Sequence, residues 1–186
     1  MNLYLLFAEL LDYPNESLPA RVEEGSRELA TAFPKAAELL ESFRRSQQDL
    51  GIARLQEAYT STFDLQPECT LNLGYHLFGE DQRRGMFLAK LNELFQQAGV
   101  ETAKELPDHL CYLLRYVAAK PASDESSAII SDCLLPAASK IVQGMNEKSN
   151  PYRPVLEALL LWLEGESRSE EVPSGMHIES SHLSSS

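Results

Sequence analysis

Glu105-Leu-Pro-Asp-His109 sets two carboxylates and an imidazole close together. Such a group can grip a basic peptide through charge-assisted hydrogen bonds. The same residues also fit a plain helix start, with Pro107 in the first turn and Asp108 where negative charge favours a helix N-terminus. On either reading Asp108 is an exposed residue at a helix start and contributes little to stability, at most about 0.3–1 kcal/mol as a helix-terminal charge. A further set is aromatic: Tyr59, Phe63, Tyr75 and Phe78. Tyr59 and Phe63 lie at helical spacing, which suits a core more often than a surface. The competing arrangement is a groove with apolar walls and polar tips, shaped for an amphipathic helical peptide. Gly79-Glu-Asp-Gln-Arg-Arg-Gly85 adds Glu80 and Arg84, in a mixture of charges typical of a solvated turn and helix cap.

Motifs for bond-breaking chemistry are missing. The histidines, His76, His109, His177 and His182, form no H-E-x-x-H pattern and no i, i+4 pair, so a zinc site has little support. No G-x-S-x-G elbow occurs, and no glycine-rich loop resembles a phosphate cradle. Cys69, Cys111 and Cys133 are odd in number and widely spaced, which argues for idle thiols in a reducing compartment over a disulfide framework. An enzyme would have to rest on residues brought together only by the fold. The expectation is a protein that binds a partner, with no cofactor and no metal of its own.

Composition narrows the partner. The 186 residues carry a net charge of −12 and a pI near 4.8, a balance that repels nucleic acid phosphates and anionic membranes and favours basic partners. The N-terminal Met1-Asn-Leu-Tyr-Leu-Leu-Phe7 lacks a basic leader region, and Glu9 and Asp12 interrupt its apolar run, so it does not read as a signal peptide. No stretch approaches the roughly 20 apolar residues of a membrane span. A cytoplasmic location is the expectation.

The elements that must position these groups are helical. Leu3, Leu6, Phe7 and Leu10 make an amphipathic stripe closed by Tyr13-Pro14. A second helix covers about 18–32, and a third opens at Pro34 and breaks at Gly51 before a fourth carrying Leu55, Tyr59 and Thr62. Residues 63–79 loosen into an ordered connection with a helical turn at 73–78. Asp81 then caps a long helix that Gly99 stops. Pro107 opens the next, with Leu110, Leu113, Leu114 and Val117 inward. A helix over 123–143 meets Pro136, which should bend or shorten it, and the last runs over 151–164. Beyond Gly165 the composition turns to Ser, Glu, Pro, Gly and His, too poor in large apolar residues to offset ordering entropy. The pattern predicts an all-α, single-domain helical bundle of about eight helices over residues 1–165, followed by a flexible tail at 166–186.

Taken together, Tyr59-Thr-Ser-Thr-Phe-Asp-Leu-Gln-Pro67, the 79–86 block and Glu105–His109 resemble the assembly chaperones of respiratory nitrate reductase, the NarJ type within the wider TorD/DmsD family. Gly79, Glu80, Arg84 and Gly85 match the block that precedes the long helix in such sequences, and the likeness runs from about Tyr59 to Leu110. The chain and its tail are short beside many NarJ-type proteins. The resemblance implies a dedicated chaperone for a molybdoenzyme. It would bind the unfinished catalytic subunit, chiefly through its N-terminal segment, while the molybdopterin guanine dinucleotide cofactor is inserted, and then leave. It also implies that the Glu105–His109 block recognises the client's leader peptide. The expected client-peptide-binding set is Asp108, His109, Glu105, Tyr59, Phe63, Tyr75, Glu80 and Arg84. The alternatives are a helical adaptor or regulator with another protein partner, and, less favoured, a small helical enzyme or metal-binding protein.

Overall fold

The structure, a computed structural model, describes residues 1–145 and 149–170, the last two by their backbone alone. Its helices are α1 (Leu3–Leu10), α2 (Leu18–Leu29), α3 (Pro34–Tyr59), α4 (Leu73–Phe78), α5 (Gln82–Ala98), α6 (Leu110–Ala119), α7 (Asp124–Ala128), α8 (Leu135–Gly144) and α9 (Arg153–Glu170). Among the described residues there is no β-strand, only an isolated antiparallel bridge between Asn72 and His109. The chain is the all-α bundle that its periodicity predicts, built on one continuous apolar core.

The stripes bury as their spacing requires. Leu6, Phe7 and Leu10 of α1 face inward, and the Phe7 ring stacks on Trp162 of α9 at 5.3 Å between centroids. Helix α6 buries Leu110, Leu113, Leu114 and Val117 against α1, while α3 packs on α2 and α9. Gly51 does break the third helix: its φ of 72° is left-handed, a conformation glycine adopts without the clash of a Cβ. Asp81 accepts the Arg83 N–H at the start of α5, and Gly99 closes it in the left-handed region.

Differences from the sequence reading arise where the backbone departs from the simple helical ladder. Residues Thr60–Asp64 continue α3 as a π-helical turn, and the Leu65 N–H reaches back to the Thr60 carbonyl at 3.1 Å. A second π turn at Ile129–Leu134 leads into α8, with Pro136 in its first turn. Proline supplies no N–H and crowds the carbonyl four residues back, so the helix widens ahead of it. Helix α6 begins at Leu110 with His109 as its cap, three residues later than Pro107 suggested. Helix α9 runs to Glu170 instead of ending at Glu164. In its last turns Ser167 Oγ donates to the Leu163 carbonyl and Arg168 pairs with Glu164 at the surface. Residues 171–186, most of the expected tail, lie outside the described residues.

Candidate functional site

The loop before α6 is anchored to the connection before α4. The Leu73 N–H donates to the Asp108 carbonyl at 2.8 Å, and the Leu110 N–H donates to the Leu71 carbonyl at 2.8 Å. These two bonds enclose the Asn72–His109 bridge, where His109 is extended immediately before α6. Asp108 turns inward, buried against Arg84, and His109 turns toward a cleft.

On the inner side, Asp108 is fully buried, at 0% exposure. Arg84 Nε of α5 donates to its Oδ2 at 2.9 Å, and the arginine side chain is 21% exposed. The other carboxylate oxygen, Oδ1, is buried with no hydrogen-bond partner among the described residues. Gly74 leaves room for the pair, since a Cβ there would sit 2.5 Å from Asp108 Oδ2 and 3.2 Å from Arg84 Cγ. The expectation of an exposed Asp108 at a helix start is thus overturned. The carboxylate faces into the protein because Leu71 and Leu73 fix the backbone on both sides of it and Gly74 has no side chain to exclude it.

On the outer side, His109 lines a cleft of about 620 Å³. Its walls come from the end of α1 (Asp12, Tyr13), the end of α3 and its π turn (Tyr59, Phe63, Asp64), the bridge and the start of α6. The floor is aromatic: Tyr59 packs edge-on against Tyr13 at 5.5 Å and Phe63 at 4.9 Å, and Tyr152 contacts both Tyr59 and Phe63 from beneath. Tyr59 and Phe63 are buried, as core residues would be, and only a small part of each reaches the cleft. The Tyr59 hydroxyl donates to the Leu11 carbonyl at 3.1 Å, and burial pushes its pKa well above the usual phenol range. Tyr13, by contrast, is 50% exposed and presents its ring to solvent.

The rim is polar and ordered. The Tyr112 hydroxyl accepts the N–H groups of Ala103, Lys104 and Glu105 at 3.1–3.3 Å, so one phenol shapes the loop that carries Glu105. Arg115 lies over the Tyr112 ring at 5.6 Å and pairs with Asp12 at 2.8 Å. Asp64 and Glu105 form no ion pair among the described residues, so the mouth, which Lys104 also lines, keeps two carboxylates for a cation. His109 Nδ1 accepts the Cys111 N–H at 3.4 Å, so a neutral ring carries its proton on Nε2. Burial holds the imidazole neutral, with its pKa lowered to about 4, and nearby Asp12 and Asp108 offset this in part. Asn72 lines the same wall, and its Oδ1 is buried without a hydrogen-bond partner among the described residues.

The predicted site residues therefore divide. Tyr59, Phe63, Glu105 and His109 share the cleft. Tyr75 and Glu80 line a separate, shallower groove of about 570 Å³ with Pro67, His76 and Lys140. Arg84 and Asp108 lie within the protein, lining neither. Sequence reasoning passed over Tyr13, Tyr112 and Arg115. Tyr13-Pro14 registers as a helix terminator, and Tyr112 and Arg115 sit among the apolar residues of α6. The signal that could have found them is the i, i+3 spacing of an aromatic and a cation on a helix beginning at Leu110.

Among the described residues no group of His, Cys, Asp and Glu side chains is disposed to hold a metal ion, and no helix is long and apolar enough to cross a membrane. Burial raises the thiol pKa of Cys111 in the cleft wall far above its usual range, which makes it a poor nucleophile. The arrangement offers an aromatic floor, a neutral imidazole donor and an acidic mouth. It is equipped to hold an apolar, basic segment.

The sequence profile of the nitrate reductase delta subunit family matches residues 16–157. The chain is 26% identical over 160 residues to the nitrate reductase molybdenum cofactor assembly chaperone NarJ of Escherichia coli (strain K12), covering 84% of this chain and 67% of that protein. It is 28% identical over 164 residues to the probable nitrate reductase molybdenum cofactor assembly chaperone NarJ of Bacillus subtilis (strain 168), covering 83% of this chain and 84% of the relative. It also superposes, with a TM-score of 0.62 and 23% identity, on a crystal structure from Archaeoglobus fulgidus described as a redox enzyme maturation protein, over 88% of this chain and 93% of the other. At that identity the likeness establishes the fold.

Proposed function

The chain belongs to the nitrate reductase delta subunit family, and from that premise we propose that it is an assembly chaperone for a nitrate reductase or a related molybdoenzyme. It binds the unfinished catalytic subunit, chiefly its N-terminal segment, assists insertion of the molybdenum cofactor and then departs. It works by holding and performs no catalysis. Its place is the cytoplasm, where Cys69, Cys111 and Cys133, all free and buried, stay reduced.

The observation that carries this reading is the cleft between α1, α3 and α6. A helical client segment would lay its apolar face on Tyr13 and the small parts of Tyr59 and Phe63 that reach the cleft, in the helix-in-groove manner. Basic side chains at its border would meet Glu105 and Asp64, and His109 Nε2–H would donate to a client carbonyl. A chaperone must also release. Exposed ion pairs contribute little, so an acidic mouth over a modest apolar floor favours fast approach by a basic segment over a permanent complex.

Calorimetric titration with a synthetic peptide of the client's N-terminal segment tests the reading. Saturable one-to-one binding is expected, weakened about tenfold or more by His109→Gln or by Tyr13→Ala. If the chain captures an unrelated protein from lysate and ignores the molybdoenzyme peptide, it is an adaptor of another kind.

A further inference from the structure

We propose that Arg84 and Asp108 are positioning residues: their buried ion pair sets His109 in the cleft, and neither side chain touches the client. The inference rests on the cleft being the client site, as proposed above. Three observations carry it. Asp108 is fully buried and lines no part of the cleft, although its sequence neighbour His109 does. A client seated against His109 would meet the cleft side of this segment and not the buried carboxylate. Residues 108–110 are held at three points: the Leu73 N–H on the Asp108 carbonyl, the Leu71 carbonyl on the Leu110 N–H, and Arg84 on the Asp108 carboxylate. The side-chain bond is the one that ties this segment to α5. Finally, Gly74 admits the pair only because it lacks a Cβ, so the geometry has little slack.

The chemistry follows. Removing one partner of a buried pair leaves the other poorly solvated, and the segment then shifts to bring the remaining charge toward water. His109 Nδ1 loses its fixed relation to the Cys111 N–H, and the ring no longer keeps its proton on Nε2. The donor that the client would meet is lost, although every residue of the cleft wall remains in the chain.

The test uses the full chain labelled with ¹⁵N and reads the His109 imidazole nitrogens together with peptide affinity. Wild type is expected to give the signals of a neutral ring with Nδ1 as acceptor. Asp108→Asn should move those signals toward a mixture of tautomers and weaken the peptide about tenfold. Gly74→Ala keeps both charges but displaces the carboxylate, and should do the same. Arg84→Lys, which retains a cation, should recover most of both readouts, and Arg83→Ala next to it should change neither. The inference is overturned if Asp108→Asn or Gly74→Ala weakens the peptide while the His109 signals stay as in wild type, since Asp108 would then meet the client directly. It is equally overturned if His109 and the affinity are indifferent to both variants. If wild type itself binds no peptide, the assignment of the cleft fails, whereas the imidazole signals still decide whether the pair positions His109.

Discussion

The two sides of the Asn72–His109 bridge are built from adjacent residues and serve opposite ends. The inner side is closed, with Arg84, Asp108 and Gly74 fitted against one another and no route to solvent for the carboxylate. The outer side is open, with Tyr13 half-exposed, Asp64 and Glu105 exposed at the mouth, and His109 offering a donor. A motif read along the chain as one binding block is, in space, divided between the interior and a cleft. Charge on a binding protein therefore has to be sorted by face before it is given a role.

The comparison is broken most severely from the inner side. Arg84→Ala leaves the fully buried Asp108 carboxylate without its partner and should cost about 3–5 kcal/mol of stability, read by chemical denaturation. A loss under about 1 kcal/mol would mean that Asp108 finds water and that the inner side is not closed.

Acid tests the outer side through His109, whose pKa is lowered to about 4 by burial. The unfolded chain takes up a proton near pH 6.5, before the folded one does. The contribution of the neutral ring is thus complete above the unfolded pKa and is lost as pH falls toward the folded value. By pH 5 the loss should be about 2 kcal/mol. His76, also lowered by burial, acts in the same direction, so the check is the difference between wild type and His109→Gln: the variant's stability should depend less on pH over this range.

Smaller changes sharpen the contrast. Tyr59→Phe removes the hydroxyl that bonds the Leu11 carbonyl and should cost about 1 kcal/mol in thermal or denaturant melts, with the aromatic floor intact. Glu105→Ala, at the exposed mouth, should leave the melting curve where it was and lower only the affinity for a basic peptide. A shifted melt with unchanged affinity would return Glu105 to the framework.

Much of the frame is legible in the sequence because it depends on neighbours. Asp81 and Gly99 delimit α5 through local caps, and the stripes of α1 and α6 bury as their periods require. The candidate site is legible only in part, since its decisive contacts are distant in the chain. Arg84 and Asp108 are 24 residues apart, and nothing local distinguishes a buried aspartate after proline from a helix cap. The bridge to Asn72, beside which Asp108 turns inward and His109 toward the cleft, leaves no periodic trace because it is a single pair. The π turns escape for a similar reason: Thr60–Thr62 read as the end of an ordinary helix and Phe63 and Asp64 as the start of a connection, whereas the backbone widens by one residue across them. Tyr75, grouped with the aromatic series, and Glu80, grouped through the 79–85 block, lie on another groove.

The most direct test of the client site is to titrate the ¹⁵N-labelled chain with the client's N-terminal peptide and follow its backbone amides. Shifts concentrated at Tyr13, Asp64, Glu105, His109 and Arg115, with Tyr75, Glu80 and Lys140 unmoved, are the expected result. Shifts gathered at Tyr75, Glu80 and Lys140, with the cleft between α1, α3 and α6 silent, would contradict it.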